Sequence, residues 1–521
     1  MGMVDISRRQ ALIGLGVLVV AFIAVAIRTP TPDIFLVDSD AGHQLAGAQQ
    51  IGFGEHPFID FRSTYGPLTF YASYAAQRIG GGTIAAELLL CALAYSAAFL
   101  LIFRCARVMG GTLIALACTA LAAAQLPRFY KYYIFLGAAL VMVCLLRYIR
   151  RPGQTRLAML AGATAIAGLY RPDQGVYAFV SAVSAILIVE RSAIRALVVL
   201  PGMIVVAASP WLIFLIARGG VKNYILDSTL GAARHAAGLS LPFPHLDFSQ
   251  SLGAAGNLSA IGYCIWWSIP AIAVVVLLAG WGRLEPPTRR CAAVTTIFAA
   301  LSLLQSAHRS DYGHLTEALA PCYVLLAFIA GAIVTSRSRA IWRGMTLGML
   351  AAGIAICIWV GVVEHSFGQF NDRVLHDYTF FYAHRPAVYL RRLRTAYPGL
   401  PYLGAIDFIE EHTTQGQRFL AVPFMTTFYY LTGRPFAGGQ MLMAPGYFSD
   451  EADQRRMTQT LARQGNPLIV EVADGGGYDG LPARKTRAFA AIFYQYVDAH
   501  YRKVSGPPLP PGMDAFLSSG R

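Results

Sequence analysis

The chain has 521 residues, of which 56% are hydrophobic and only 13% are charged, and its mean hydropathy is +0.50. Soluble domains carry about 25% charged residues, so these values exclude a soluble protein and require that lipid solvates most of the chain. The formal net charge of +14 does not indicate nucleic-acid binding, because the arginines recur as short clusters between apolar runs and form no single basic stripe.

The N-terminus combines Ser7-Arg8-Arg9 with the apolar run 11–27. The double arginine resembles a twin-arginine export signal. An uncleaved membrane helix is the favoured interpretation, because the run lacks a small-x-small cleavage site and many further apolar runs follow it.

A membrane-spanning helix needs about 20 mostly apolar residues. About eleven segments approach this description, which predicts an α-helical polytopic membrane protein. The predicted spans are 11–27, 84–103, 111–126, 132–146, 157–170, 174–189, 195–217, 259–281, 291–306, 315–335 and 345–363. Residues 28–83 and 218–258 are too polar to span and are predicted to be external loops.

Charge is distributed asymmetrically between alternate loops, which sets the orientation. One set of loops is short and basic and holds Arg8, Arg9, Arg104, Arg107, Arg147, Arg150, Arg151, Arg156, Arg191, Arg195, Arg283, Arg289, Arg290, Arg337, Arg339 and Arg343. The other set holds Asp33, Asp38, Asp40, Asp60, Asp173, Asp227, Asp247 and Asp311. These patterns predict a bacterial inner-membrane protein with a cytoplasmic N-terminus and, after an odd number of spans, a periplasmic C-terminal region.

The chain is interpreted as three parts. Residues 1–363 form the transmembrane domain, and residues 364–400, rich in aromatic residues and arginine, form an interfacial linker. Residues 401–521 alternate helical and strand patterns, which predicts a small periplasmic α/β domain. Its last segment, 505–521, is expected to be loose.

Several kinds of site are excluded by the sequence. The eight cysteines lie in or beside apolar runs without a CxxC pair, so there is no disulfide framework or thiolate metal site. The sequence also contains no HExxH motif, Walker motif or Rossmann fingerprint. The cysteines are Cys91, Cys105, Cys118, Cys144, Cys264, Cys291, Cys322 and Cys357.

The first external loop carries the densest set of reactive side chains. A carboxylate at the membrane surface can act as a general base, bind a metal or remain solvated. Asp38-x-Asp40 with His43 could hold a divalent cation, Mg²⁺ or Mn²⁺, and hydrogen bonding to an acceptor or to arginine is equally compatible. The candidate residues of this loop are Asp38, Asp40, His43, Asp60, Arg62 and Tyr65.

The order of motifs in this loop carries a resemblance. Asp-x-Gly-His at 40–43 is followed by an amphipathic helix, by Gly-x-x-Pro-Phe-x-Asp-Phe at 54–61 and by Tyr-Gly-Pro-Leu at 65–68. This pattern resembles the first periplasmic loop of bacterial GT-C glycosyltransferases, polytopic enzymes that use polyprenyl-phosphate sugars. The layout of first helix, loop, many spans and C-terminal periplasmic α/β domain is similar as well.

The resemblance implies a catalytic role for the acidic residues of the loop. In the family, an acidic residue of this loop is the general base on the acceptor. Asp40 matches best by its position relative to Gly42 and His43, and Asp38 is second. Many members have two adjacent acidic residues, whereas this chain has Asp40-Ala41, so the choice between Asp38 and Asp40 stays open. The resemblance also implies inversion at the sugar.

Cations at the external ends of helices are candidates for binding the donor. A departing phosphate is stabilised by fixed cations, although Arg, Lys and Tyr also anchor helices at the interface. An Arg-x-Asp at 171–173 and an Arg-x-Asp-x-x-His at 309–314 resemble family motifs, which implies donor-phosphate or sugar contacts. The candidates are Arg128, Lys131, Arg171, Asp173, His308, Arg309, Asp311 and His314.

The predicted function is transfer of a sugar from a polyprenyl-phosphate donor to a cell-envelope glycan or lipid acceptor. The alternatives are a transporter or flippase for lipid-linked glycans and a non-catalytic assembly factor. A transporter is disfavoured because the sequence lacks clear inverted repeats and paired broken helices. The expected partners are the lipid-linked donor, the acceptor and membrane lipid, without nucleic acid.

Overall fold

The computed structural model describes residues 8–27, 39–190, 193–246, 253–335, 340–360, 385–396, 401–472, 478–506 and 509–520. The chain divides into two compact units. The first comprises residues 1–29, 91–210 and 241–371, and the second comprises residues 30–90, 211–240 and 372–521.

Helices dominate the chain as far as residue 359. In chain order they are Arg8–Ile27, Ser39–Gly52, Pro67–Ile79, Ile84–Gly110, Thr112–Ala124, Tyr132–Arg150, Gln154–Tyr170, Pro172–Val189, Ala193–Ala217, Val221–Leu226, Ala232–Gly238, Gly253–Ala279, Pro286–His308, Tyr312–Ala318, Ala320–Thr335 and Ala340–Trp359. Each of the predicted spans overlaps one of these helices, and the span predicted at 315–335 is divided between two.

Among the described residues, six helices are long and apolar enough to cross a membrane. They are Ile84–Gly110, Phe129–Arg150, Pro172–Val189, Ala193–Ala217, Asn257–Ala279 and Pro286–His308. The pair Tyr312–Ala318 and Ala320–Thr335 is bent by 68° and makes a seventh if it is counted as one span. Fewer helices pass than predicted because some are short: the 13-residue Thr112–Ala124 helix rises only about 20 Å against a ~30 Å hydrocarbon core.

The apolar helices expose side chains that water would solvate poorly. Val198, Val206 and Ile216 of the Ala193–Ala217 helix are 71%, 72% and 69% exposed. Such a surface is stable when lipid covers it, which confirms the prediction of an α-helical polytopic membrane protein.

Glycines allow close helix packing in the first unit. A Cβ added at Gly175 would lie 2.6 Å from the Cα of Gly168, and one added at Gly331 would lie 2.9 Å from the Cα of Gly110. Small residues at such crossings are how helices pack closely in lipid, where the hydrophobic effect contributes little to association.

The second unit contains a four-stranded sheet, as the α/β prediction requires. Its strands are β1 (Phe419–Val422), β2 (Leu468–Val472), β3 (Tyr501–Ser505) and β4 (Met513–Ser518), in the order β1-β2-β4-β3. β1 and β2 are parallel, and β4 is antiparallel to both β2 and β3. The helices of this region are Pro386–Ala396, Pro401–His412, Thr427–Thr432, Glu451–Arg463, Thr486–Phe489 and Ala491–His500.

The expectation that residues 505–521 are loose was wrong. Residues 513–518 form β4, which pairs Phe516 with Ile469 of β2 and with Lys503 of β3. Phe516 is buried in the core of this sheet. Residues 513–518 are ordered because a central position in the sheet satisfies their backbone on both sides.

The described part of the loop predicted to be external, residues 39–83, is largely helical. The Ser39–Gly52 and Pro67–Ile79 helices are joined by residues 53–66, and both belong to the second unit. Most of the predicted linker, residues 364–384 and 397–400, lies outside the described residues, and the boundaries predicted at 363 and 400 remain predictions.

Candidate functional site in two parts

The best candidate for the general base lies at the start of a helix. Asp40 belongs to the first turn of the Ser39–Gly52 helix, and the start of a helix favours negative charge. The Asp40 side chain and the whole of Asp38 lie outside what the structure describes. The choice between them therefore stays a prediction.

Gly42 brings this helix against the terminal part of the second unit. A Cβ at Gly42 would lie 2.6 Å from the backbone nitrogen of Thr427 and closer still to its Oγ1. Gly42 and Thr427 are both buried. The glycine of the Asp-x-Gly-His motif is therefore required for this helix-to-helix contact.

Two predicted residues of the first loop lie together. The His43 ring centroid is 5.3 Å from that of Tyr65 and 5.4 Å from that of Phe70. Only 4% of His43 is exposed. The Asp-x-Gly-His and Tyr-Gly-Pro motifs therefore pack against each other through their aromatic rings.

Arg62 is bound by two carboxylates from distant parts of the chain. Its Nη2 lies 2.6 Å from Oδ1 of Asp227, and its Nη1 lies 2.5 Å from Oδ2 of Asp453. The guanidinium also lies 5.4 Å from the ring centroid of Tyr447. We call Arg62, Asp227, Asp453 and Tyr447 the Arg62 cluster, and it joins the first loop to two other segments of the second unit.

In the Arg62 cluster, burial and the oppositely charged neighbours act in opposite directions on the pKa of Asp227 and on that of Arg62. Burial raises the pKa of Asp227 above its ordinary value, and the Arg62 guanidinium only partly offsets this shift. Burial alone would lower the pKa of Arg62, but Tyr447 and the two carboxylates raise it, so the arginine stays charged. The sequence prediction included Arg62 but not its partners Asp227 and Asp453, because no local pattern links these three segments.

Asp60 lies beside this cluster and is exposed to solvent. One of its carboxylate oxygens accepts the backbone N–H of His56 at 2.8 Å. This hydrogen bond fixes the turn that follows the Ser39–Gly52 helix and leaves the second oxygen as an acceptor on the surface.

The first unit contains a second group of predicted residues, centred on Arg128. Its Nε and Nη2 lie 2.7 and 2.6 Å from Oε1 of Glu317. Glu317 is fully buried and lies in the Tyr312–Ala318 helix. Sequence reasoning missed Glu317, although a lone carboxylate within the predicted span 315–335 is a signal of function or pairing.

Buried amides extend the pair across three helices. Gln305 donates to Oε2 of Glu317 at 3.1 Å, and Gln174 donates to Oε1 of Gln305 at 2.6 Å. Gln174 follows Asp173, whose carboxylate accepts its backbone N–H. This network connects the segment around Arg128 with the segment that holds Arg171 and Asp173. The two segments are about forty residues apart in the sequence, and both contain predicted donor-binding residues.

The late motif forms one compact cluster. Oδ2 of Asp311 lies 3.2 Å from Nε of Arg309 and 2.7 Å from Nδ1 of His314. Asp311 also caps the next helix by accepting the His314 backbone N–H at 2.9 Å. A Cβ at Gly313 would lie 3.2 Å from Oδ1 of Asp311 and 3.8 Å from Cδ of Arg128, so Arg128 borders this cluster.

The charge of Asp311 is strongly favoured. Burial would raise the pKa of Asp311, but the hydrogen bonds from His314 and the positive charge of Arg128 outweigh it. The pKa therefore lies well below the ordinary value of an aspartate, and the carboxylate is ionised at neutral pH.

The remaining predicted cations lie in the same unit. Nε of Arg171 is 2.9 Å from Oδ1 of Asp173. Lys131 is buried, and its Nζ lies 5.2 Å from the ring centroid of Tyr130. His308 ends its helix exposed, and its carbonyl accepts the backbone N–H of Leu241 at 2.9 Å.

The described part of the first unit contains a set of cations and carboxylates that includes most of the predicted donor residues. We call the following set the cation cluster: Arg128, Lys131, Arg171, Asp173, Arg309, Asp311, His314 and Glu317. Its guanidinium groups are of the kind that binds phosphate oxygens.

The described residues contain no group of three or more His, Cys, Asp or Glu side chains placed to hold a metal ion. Asp38, Asp40 and His43 are the candidate ligands of a divalent cation. Two of these candidates, Asp38 and the side chain of Asp40, lie outside the described residues, so this site remains a prediction.

Comparisons with known proteins bear on the fold. No protein-family model matches the sequence, and no curated protein matches it. Among solved structures, ArnT from Cupriavidus metallidurans bound to undecaprenyl phosphate is similar over 98% of both chains, at 14% identity and a TM-score of 0.54.

Two further structures have lower scores. The apo state of the same ArnT covers 97% of both chains at 13% identity and a TM-score of 0.48. The Archaeoglobus fulgidus oligosaccharyltransferase in complex with zinc and sulfate covers 96% of this chain and 73% of its own, at 12% identity and a TM-score of 0.42. The conclusion about fold depends on the first structure, whose overall fold this chain shares.

Proposed function

We propose that this protein transfers a sugar from a polyprenyl-phosphate donor to a cell-envelope glycan or lipid acceptor at the periplasmic face of the inner membrane. The observation that carries the proposal is the fold shared along 98% of both chains with an ArnT structure that holds undecaprenyl phosphate. The apolar helices support a membrane-embedded donor, because a polyprenyl chain is itself solvated by lipid.

The chemistry needs a base and a group that stabilises the departing phosphate. The acceptor oxygen attacks the anomeric carbon of the donor sugar, and the bond from that carbon to the phosphate oxygen breaks. The acceptor proton passes to a carboxylate, which we assign to Asp40 or to Asp38. The electron pair stays on the phosphate, which departs as the polyprenyl phosphate.

We assign the cation cluster to the donor phosphate. Arg128 and Arg309 are the side chains best suited to it, because guanidinium groups donate two parallel hydrogen bonds to phosphate oxygens. Both are partly exposed, with 27% and 20% of their side-chain surfaces accessible. Glu317 and Asp311 hold these arginines in place, so the donor meets fixed cations that need little reorganisation.

His43, Asp60, Arg62 and Tyr65 are assigned to the acceptor side of the reaction. They lie in the same external loop as Asp40, and their packing ties that loop to the terminal part of the second unit through Arg62 and Asp453. We infer inversion at the anomeric carbon, as the resemblance implies, because the single direct displacement proposed here inverts that centre.

The proposal is tested with purified protein in phospholipid nanodiscs and a panel of synthetic polyprenyl-phosphate sugars. Each donor is supplied together with cell-envelope glycan and lipid acceptors, because the sugar needs an acceptor when the phosphate leaves. We expect one donor to be consumed with release of free polyprenyl phosphate, and Arg309→Gln to slow consumption at least tenfold. Arg289→Gln is the matched control, because this arginine contacts Trp281 and lies outside the cation cluster. If no donor across the panel is consumed, the proposed transferase activity is wrong.

A further inference from the structure

A cavity of about 310 Å³ lies within the second unit. It is lined by residues 58–62 of the first loop, by Asn223, by residues 438–440 and by one face of the Glu451–Arg463 helix. Its volume is at the lower end of the ~300–1,000 Å³ of small-molecule sites. Two of its lining residues, Asp60 and Arg62, are assigned above to the acceptor side, but no bound group has been assigned to the cavity itself.

One wall of the cavity is already electrically balanced. Arg62 and Asp453 both line it, and they form an ion pair whose two side chains are 15% and 10% exposed. Asp227 is the second partner of Arg62. Because the arginine is bound by two carboxylates, this wall offers no net positive charge to a ligand.

Gln440 is the unusual residue of the cavity. It is only 3% exposed, and its Nε2 has no hydrogen-bond partner among the residues that the structure describes. Leaving a buried amide donor unsatisfied is costly. Because Gln440 lines the cavity, a ligand with an acceptor oxygen would satisfy this N–H group when it binds there.

The mouth of the cavity carries both donors and acceptors. Arg456, Thr460 and Arg463 follow one face of their helix at spacings of four and three residues. Asp60 lines the same cavity and provides a carboxylate. The apolar part of the lining consists mainly of Phe58, Ile59 and Met457.

This mixture favours a sugar over a simple anion. Hydroxyl groups both donate and accept, so they match a lining of amides, guanidinium groups and a carboxylate. The carbon face of a sugar ring packs on apolar side chains. A phosphate, by contrast, would have to lie near Asp60 and Asp453, and Arg62 is already committed to carboxylates.

We propose that this cavity is a binding site for a saccharide unit of the acceptor. The inference rests on the proposed function and deepens it, because it selects a glycan from the glycan or lipid acceptors left open above. Gln440 donates to a sugar oxygen, Arg456 and Arg463 donate at the mouth, and Asp60 accepts from a sugar hydroxyl.

The experiment uses the full-length protein in phospholipid nanodiscs, which contain no sugar, and no donor is added. The protein is titrated with maltotriose, cellotriose, chitotriose, mannotriose and trigalacturonic acid, and separately with inorganic phosphate. Saccharide binding is measured by saturation-transfer-difference NMR, and phosphate binding is measured by ³¹P NMR. We expect saturable binding of at least one saccharide. Gln440→Leu and Arg463→Gln should each weaken it about tenfold, the loss of one good hydrogen bond.

Arg455→Gln is the matched control. Arg455 lies on the same helix but outside the cavity, where it pairs with Glu451 at 3.4 Å. It should leave saccharide binding unchanged, and the unfolding temperature of each variant verifies that it is folded. The inference is overturned if no saccharide binds, if the saccharide affinity is unchanged in Gln440→Leu and Arg463→Gln, or if inorganic phosphate alone binds.

The binding assay and the donor assay separate the two proposals. Donor consumption without saccharide binding would overturn the inference and leave the proposed transferase activity standing. Saccharide binding without consumption of any donor would overturn the transferase activity and leave a glycan-binding cavity.

Discussion

Glu317 accepts a hydrogen bond from Nε of Arg128 at 2.7 Å and forms an ion pair with its Nη2 at 2.6 Å, although Glu317 is fully buried and Arg128 lies in a different segment of the chain. Gln305 binds the second carboxylate oxygen. A buried carboxylate persists only when it is paired and hydrogen-bonded in this way. The pair thus fixes one arginine of the cation cluster while leaving 27% of its side chain exposed.

Glu317→Gln should destabilise the first unit. The change leaves the Arg128 charge without its carboxylate, which costs about 3–5 kcal/mol for a fully buried pair. Because Arg128 is partly exposed, we expect roughly 2–3 kcal/mol. Thermal unfolding in nanodiscs checks this value, and Arg128→Gln in the Glu317→Gln background should restore part of the loss. Additive losses in the double variant would contradict the pairing.

Gly42→Ala should weaken the contact between the Ser39–Gly52 helix and Thr427. The new methyl group would lie 2.6 Å from a backbone nitrogen, which cannot rotate away, so we expect a loss of roughly 1–3 kcal/mol. Gly162→Ala is the control, since nothing lies within 4 Å of a Cβ at that helical position. Alanine there should be neutral or stabilising. Equal unfolding temperatures for the two variants would refute the close contact.

Arg62→Met should be among the most destabilising changes in the second unit. It leaves Asp227 and Asp453 facing each other with side chains only 3% and 10% exposed, and the expected cost is about 3–5 kcal/mol. Adding Asp227→Asn should recover part of the stability, because it removes one uncompensated charge. A surface pair gives the comparison: Arg455→Gln, opposite Glu451, should change stability by less than about 0.5 kcal/mol.

Asp311→Asn should reduce stability at neutral pH and less so in acid. Asparagine still caps the Tyr312–Ala318 helix, so the change isolates the charge. The pKa of Asp311 is lower in the folded protein than its value of about 3.9 in an unfolded chain. Its contribution is therefore complete above pH ~4 and is lost as the pH falls toward the folded pKa. The difference in unfolding temperature between Asp311→Asn and the wild type should narrow from pH 7 to pH 3, and a constant difference would contradict this account.

Elements that follow from local pattern could be predicted from the sequence. Apolar runs give helices because the backbone must satisfy its own hydrogen bonds in lipid, and the runs at 84–103 and 291–306 lie within the Ile84–Gly110 and Pro286–His308 helices. The Glu451–Arg463 helix also depends on local sequence, because Asp450 caps it by accepting the Ala452 backbone N–H. Such features depend on neighbours within a few residues.

Contacts between distant segments could not be predicted in this way. β4 was missed because its backbone partners are β2 and β3, and the proline-rich stretch before it suggested a loose tail. Nothing in the local sequence distinguishes Asp453 from the other polar residues of its helix. Its ion pair with Arg62 is formed only in the folded chain. The resemblance did identify the Arg-x-Asp motifs, but the link from Arg128 to Glu317 emerges only from three-dimensional packing.

The central claim is that a first-loop carboxylate deprotonates the acceptor during transfer from a polyprenyl-phosphate sugar. The direct measurement is the rate of sugar transfer by purified wild-type protein, Asp40→Asn and Asp38→Asn, with the same donor and acceptor. We predict that one of the two variants loses at least a hundredfold in rate, the usual scale for removal of a general base, with its unfolding temperature unchanged. Wild-type rates for both variants would contradict the account.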